Sequence, residues 1–189
     1  MASKQDWLDA GLAILAEYGA PGLTIERLTE RLGLSKGSFY HHFKGMAGYR
    51  TALLDRIADQ TTHRFIDLVE REPGRTARER LRLLTDLVSA EAQSPALEIA
   101  VRAWAQQNPE VRAAQERIDH TRTEYLRGLW MEMTGDPDEA ARMSWLLYLI
   151  VIGADHIVPP IAPPQLRDLF HTAIGLADRS DDRPEGNRT

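Results

Sequence analysis

Apolar residues recur along this chain at three- and four-residue intervals, separated by clusters of Gly, Pro, Ser, Thr and Asp. That interval places them on one face of a helix. Trp7, Leu8, Leu12, Ile14, Leu15 and Tyr18 mark a first amphipathic helix over about 4–18, which Gly19, Pro21 and Gly22 bring to an end. Ile25, Leu28 and Leu32 mark a short second helix over about 25–32, with Thr24 placed to cap it and Gly33 to stop it. Leu34 follows as an apolar plug, and Ser35 can cap a third helix that runs to Phe43. Gly45 breaks that helix, and a long pattern restarts at Met46 and continues to Val69, before Pro73 and Gly74.

Beyond Pro73 the period stays helical, predicting helices over about 76–92, 95–107, 109–133, 137–157 and 164–177. Pro109, Pro137 and Pro164 each sit where a first helical turn tolerates proline. No stretch alternates with period two long enough to suggest a sheet, so the expected fold class is all-α. Two short helices joined by a glycine turn form a helix-turn-helix, which gives an N-terminal three-helix domain over 1–48. A larger helical domain over 49–178 follows, and 179–189, polar with Pro and Gly, reads as a flexible tail.

Composition narrows the functions available. The sequence has no cysteine, which excludes disulfides, thiolate metal sites and a Cys nucleophile, and fits a reducing cytoplasm. No H-E-x-x-H or phosphate-loop motif and no Cys nucleophile occurs, so no enzyme chemistry is expected. His120 and Glu124 are spaced as two metal ligands but lack a third, and a surface ion pair accounts for them as well; no metal or cofactor is expected. The first residues lack a secretory core, and the most apolar run, Trp145 to Ala154, is about half the ~20 residues a membrane span needs.

The net charge of −5 argues weakly against a nucleic-acid binder. Its distribution changes that picture: between Arg31 and Arg50 the charged residues are Arg31, Lys36, Lys44 and Arg50, a local +4 without an acid. Screening over about 8–10 Å lets such a patch act on phosphates despite the acidic remainder.

At about 100° per residue, Phe39 and Phe43 share one side of the third helix and can anchor it. The other side then presents Gly37, Tyr40, His41 and Lys44, with Ser38 on the flank. This surface suits a major groove: Gly37 permits close approach, Ser38 and His41 can reach base edges, Tyr40 and Lys44 can reach phosphates, and a further phosphate contact falls near Ser35. The alternative is ordinary packing of short helices, with the basic segment a solvated face of a protein-interaction module.

The stretch from Leu23-Thr24-Ile25 through Leu34-Ser35-Lys36-Gly37-Ser38-Phe39-Tyr40-His41-His42-Phe43 resembles the DNA-binding region of the TetR family of transcriptional regulators. The resemblance covers about 7–54. It adds Thr24, Lys36 and His42 to the DNA-binding set, and it implies a repressor that binds a palindromic operator as a homodimer and is released by a small-molecule effector. One position departs: the family's Lys three residues after the closing Phe is Met46 here, with Lys44 on the other side of Gly45 as a substitute.

The resemblance also assigns the body, residues 49–178, to effector binding and dimerisation. His63, Phe65, Arg102, Trp104, His120, Tyr125 and Trp130 fall on helices that, by resemblance, surround an effector pocket suited to a small, largely apolar ligand of unknown identity; the alternative is that they are core residues. Leu166, Leu169, Phe170, Ala173 and Ile174 form a stripe on the last helix, and the preceding helix is apolar nearly all round. In proteins of this family the last two helices pair with their copies, which assigns Leu146, Ile150, Gly153, Leu166, Leu169, Phe170, Ala173 and Ile174 to a dimer interface; a buried monomer core is the alternative. A dimer would present two recognition helices about 34 Å apart to double-stranded DNA.

Overall fold

In the computed structural model, which describes residues 3–71, 73–90 and 95–176, every regular element is helical. The order is α1 (Lys4–Tyr18), a 3-10 turn (Ala20–Gly22), α2 (Ile25–Leu32), α3 (Lys36–His42), α4 (Met46–Ala58), a π turn (Asp59–His63), α5 (Arg64–Glu70), α6 (Ala77–Ala90), α7 (Pro95–Ala105), α8 (Pro109–Thr134), α9 (Pro137–His156) and α10 (Pro163–Ile174). The long pattern from Met46 to Val69 is thus two helices joined by a π turn. Thr61 Oγ1 donates to the Ile57 carbonyl at 2.8 Å, competing for an acceptor of the ordinary ladder. The expected tail over 179–189 lies outside the described residues.

Helix ends follow the sequence signals. Ser3 and Asp6 form a capping box at α1, Thr76 and Glu79 cap each other's amides at α6, and Asp136 accepts from the amides of Asp138 and Glu139 at α9.

Contacts divide the chain into two compact units. The first joins residues 1–64 to 93–120. Its core brings Trp7, Ile14, Leu15, Leu28, Phe39, Phe43, Tyr49 and Leu53 together with Val101, Ala105, Val111, Ala114 and Ile118. The boundary read from sequence, at 48/49, therefore does not coincide with this unit, which also holds α4, α7 and the start of α8. The reason is burial: three short helices cannot cover both faces of α1, and α7 supplies the missing wall.

Within this unit α1 and α4 meet at a close crossing. The Tyr49 hydroxyl donates to the Trp7 carbonyl at 2.8 Å, and burial raises the Tyr49 phenol above its ordinary range. A Cβ on Gly11 would lie 1.8 Å from the Tyr49 hydroxyl oxygen, so only glycine lets the ring in.

The second unit joins residues 65–92 to 121–189. Leu81 of α6, Leu126, Leu129 and Trp130 of α8, Met143, Leu147 and Tyr148 of α9, and Leu166, Phe170 and Ile174 of α10 form its core. Arg80 bridges Glu70 and Glu132, and the Tyr125 hydroxyl donates to Glu70 at 2.6 Å.

Tyr49→Phe should cost about 1 kcal/mol, the net worth of one hydrogen bond. Gly11→Ala should cost about 1–3 kcal/mol through overpacking, beyond what its better helix propensity offsets. Because Tyr49→Phe removes the clashing atom, the double variant should lose less than the two single losses together in urea unfolding; strict additivity would refute the crossing.

Candidate nucleic-acid interface

The interface is built from the α2–α3 turn outward. Gly33 takes the left-handed conformation, φ 64° and ψ 34°, while its amide bonds the Glu30 carbonyl and that of Leu34 bonds Thr29. This closes α2 and sets the direction in which α3 leaves. Ser35 opens α3 by accepting from the Ser38 amide at 3.3 Å, and Thr24 opens α2 by accepting from Arg27 at 3.2 Å. Each hydroxyl uses an oxygen lone pair for this, which leaves its proton free to donate outward.

Aromatic packing fixes the rotation of α3. Phe39 is fully buried, with its ring centroid 5.5 Å from both Trp7 and Tyr49 and 5.3 Å from Phe43. Phe43 meets Tyr49 edge to face at 4.9 Å. With that side spent, Ser35, Lys36, Gly37, Tyr40, His41 and Lys44 are exposed, as is Thr24 at the start of α2, while Ser38 and His42 are half-buried. The nine residues singled out for DNA thus stand around one short helix and the start of its neighbour.

Their electrostatics differ from the sequence count. Of the four cations between Arg31 and Arg50, three pair with acids from outside that segment: Arg31 with Glu17, Lys36 with Glu26, and Arg50 with Glu110 at 2.6 Å. The Lys36 ammonium holds the Glu26 carboxyl below its usual range, and Glu26 raises Lys36 in turn. Glu110 is lowered by hydrogen bonds from Thr51, at 2.9 Å, and Arg50. These groups are solvated, so each pair contributes little to stability. Their consequence is that Lys44 is the cation of the segment without a carboxylate partner among the described residues. Met46 is half-buried and packs on the unit's core, so the position of the family's Lys is spent on packing.

The effector residues fall in both units. In the first, His63 is exposed and pairs with Asp59, Arg102 bridges Glu98 at 2.8 Å and Asp119 at 2.9 Å, Trp104 packs on the core, and His120 is exposed. In the second, Phe65 and Trp130 are buried, with Trp130 Nε1 donating to Glu139 at 3.3 Å, and Tyr125 is held by Glu70. Among the described residues no group of three or more His, Asp or Glu could hold a metal, and no helix is long and apolar enough to cross a membrane.

The residues assigned to a dimer interface also divide. Leu166, Phe170, Ala173 and Ile174 are buried in the chain's own core, because their spacing is that of α10's inner face. Leu146 and Leu169 are exposed and Ile150 and Gly153 half-buried. Trp145 and Leu149, 55% and 59% exposed, were not singled out, although they share the α9 face of Leu146. Sequence reading likewise passed over Glu17, Glu26 and Glu110, for which no local signal exists. It also passed over Lys4, one helical turn before Trp7 and on the same face, whose Nζ lies 5.8 Å from the centroid of the Phe43 ring.

Residues 8–59 match the family model described as bacterial regulatory proteins, tetR family. A helix-turn-helix-type transcriptional repressor of Mycobacterium tuberculosis is 29% identical over 126 residues, 60% of this chain and 62% of the relative, so the match spans less than two thirds of its length. Among solved structures, a transcriptional regulator from Rhodococcus sp. Rha1 superposes with a TM-score of 0.77 at 21% identity, covering 97% of this chain and 100% of that one. The regulator FadR of Bacillus subtilis, in complex with stearoyl-CoA, gives a TM-score of 0.68 at 18% identity, covering 93% and 97%. Both structural likenesses concern the fold.

The caps give a direct check. Ser35→Ala should lower stability by about 1 kcal/mol through loss of the α3 cap, read as a lower urea midpoint; an unchanged midpoint would show that Ser35 does not hold the helix start.

Proposed function

Because residues 8–59 match the model of the tetR family of bacterial regulatory proteins, we propose that this chain is a sequence-specific DNA-binding transcriptional repressor that acts in the cytoplasm as a homodimer and is released by a small-molecule effector. The observation that carries this reading is α3: Phe39 and Phe43 fill one side, and Gly37, Tyr40, His41 and Lys44 stand exposed on the other. Ser38 and His41 are the base-edge readers. Tyr40, Lys44 and the hydroxyls of Ser35 and Thr24 are the phosphate contacts, which fix register without carrying sequence. Lys36 and His42 flank this surface, and Lys36 exchanges Glu26 for a phosphate on binding.

Gly37 supports the reading in a particular way. A Cβ there would meet only the Ser35 hydroxyl, at 3.6 Å, so nothing inside the protein demands glycine. The reason for a bare backbone lies outside, in a groove that approaches closely.

Dimerisation uses the outward apolar side of α9 and α10: Trp145, Leu146, Leu149 and Leu169, with Ile150 and Gly153 at its edge. Large apolar side chains left this exposed on two adjacent helices fit a surface that a second copy covers. The effector reading rests on the family and on the Bacillus regulator, solved with stearoyl-CoA, which makes a long-chain acyl-CoA the first probe for release.

Footprinting and gel shift with DNA flanking the coding region, against a scrambled duplex, test the function. A protected palindrome is expected, and absence of any sequence preference at physiological salt would overturn it. Gly37→Ala should keep or raise the melting temperature, since Ala gains up to about 1 kcal/mol of helix propensity, while weakening operator binding. Binding as tight as wild type would remove the close approach. Lys44→Ala and Tyr40→Phe should weaken all duplexes alike, whereas Ser38→Ala and His41→Ala should change which duplex is preferred. Trp145→Asp with Leu149→Asp should yield a monomer in analytical ultracentrifugation, and an intact dimer would place the interface elsewhere.

A further inference from the structure

Six side-chain cations stand in residues 4–50, and the structure separates them by what they already hold. Arg31, Lys36 and Arg50 hold Glu17, Glu26 and Glu110. Arg27 lies over the Tyr18 ring, its Cζ 4.1 Å from the centroid, so one face of its guanidinium is covered. Lys4 and Lys44 have no carboxylate partner among the described residues.

These two lysines are 40 positions apart in sequence, yet both stand beside Phe43. Lys4 Nζ lies 5.8 Å from the Phe43 ring centroid, and Lys44 is the next residue in the chain. Phe43 is the C-cap of α3, its amide bonded to the Phe39 carbonyl at 3.0 Å, so the ring marks the C-terminal end of the recognition helix. The acids of α1 closest in sequence to Lys4 are engaged elsewhere. Asp6 accepts from the amide of Ser3 at 2.7 Å and from its hydroxyl at 3.0 Å, and Asp9 accepts from Gln5 at 3.1 Å and Arg56 at 3.1 Å.

We propose that Lys4 is a DNA-phosphate contact, acting with Lys44 at the end of α3 as the cationic clamp that the core-packed Met46 cannot supply. The inference rests on the DNA-binding reading above and extends the contact surface beyond the helix-turn-helix to α1. An ammonium held at an aromatic face keeps its charge while part of its freedom is already lost, which lowers the ordering cost of meeting a phosphate. The partner is the sugar-phosphate backbone of double-stranded DNA, so the contact adds affinity and register but no base preference.

The test is salt-dependent binding, from about 50 to 200 mM salt, to the duplex from the flanking DNA and to a scrambled duplex of equal composition. Lys4→Gln should reduce the magnitude of the slope of log K against log[salt] by about 0.9 on both duplexes, which amounts to about five-fold weaker binding near 0.15 M salt. Lys4→Met keeps an apolar stem for Phe43 and should behave as Lys4→Gln, whereas Lys4→Arg should restore the slope. Wild-type slope and affinity in both Lys4→Gln and Lys4→Met would overturn the assignment. Loss in Lys4→Arg equal to that in Lys4→Gln would also overturn it, since charge would not be the cause. A wild-type protein with no preference between the two duplexes would overturn the repressor reading instead, and the Lys4 slope would still be legible on either duplex.

Discussion

A seven-residue helix cannot hold itself together in water, so α3 and the face it turns outward depend on Phe39. That ring is buried against Trp7 of α1 and Tyr49 of α4, and Phe43, one turn on, repeats the anchorage. Helical geometry does the rest. With those two positions inward, Gly37, Tyr40, His41 and Lys44 have no course but outward. Tyr49 is fixed in turn by its bond to the Trp7 carbonyl and by the gap that Gly11 leaves. One small aromatic cluster therefore decides which residues α3 shows to a partner and how firmly it shows them.

The cluster is closed from outside the helix-turn-helix. α7 and the first turns of α8 lay Val101, Ala105, Val111 and Ala114 on the same core, and Glu110 at the start of α8 holds both Arg50 and Thr51 of α4. The second contact is electrostatic as well as mechanical, since it pairs one of the four cations between Arg31 and Arg50. Glu17 and Glu26 do the same to Arg31 and Lys36. If the proposed DNA contact is made here, cations already paired with acids add little phosphate affinity, and discrimination rests more on base contacts. Apart from Arg27, which lies over the Tyr18 ring, the cations of residues 4–50 left unpaired by acids stand beside Phe43.

In the second unit the same sorting by face separates the apolar residues of the core from those left exposed. α10 spends Leu166, Phe170, Ala173 and Ile174 on its own core, while Trp145, Leu146 and Leu149 of α9 and Leu169 of α10 stay outside. An apolar stripe in a sequence says that a face is buried, not by what. The nearly all-round apolar character of α9 reflects two faces, one buried within the chain and one left exposed, which is the face assigned to the proposed dimer.

The sequence by itself determined the helices, their caps and the orientation of α3, because these follow from neighbours within about one turn: Gly33 stops α2, Ser35 starts α3, and Phe39 with Phe43 sets the rotation. A run of spaced residues from Thr24 to Phe43 also carries the resemblance to the tetR family, whose model matches residues 8–59. The pairing of Arg50 with Glu110 sixty positions away and the burial of Met46 were decided only by tertiary structure. So was the presence of Lys4 beside Phe43. The physical reason is common to all three: hydrophobic period and capping are local, whereas the partner of a charge or the neighbour of a ring is chosen by whichever helix the fold brings alongside.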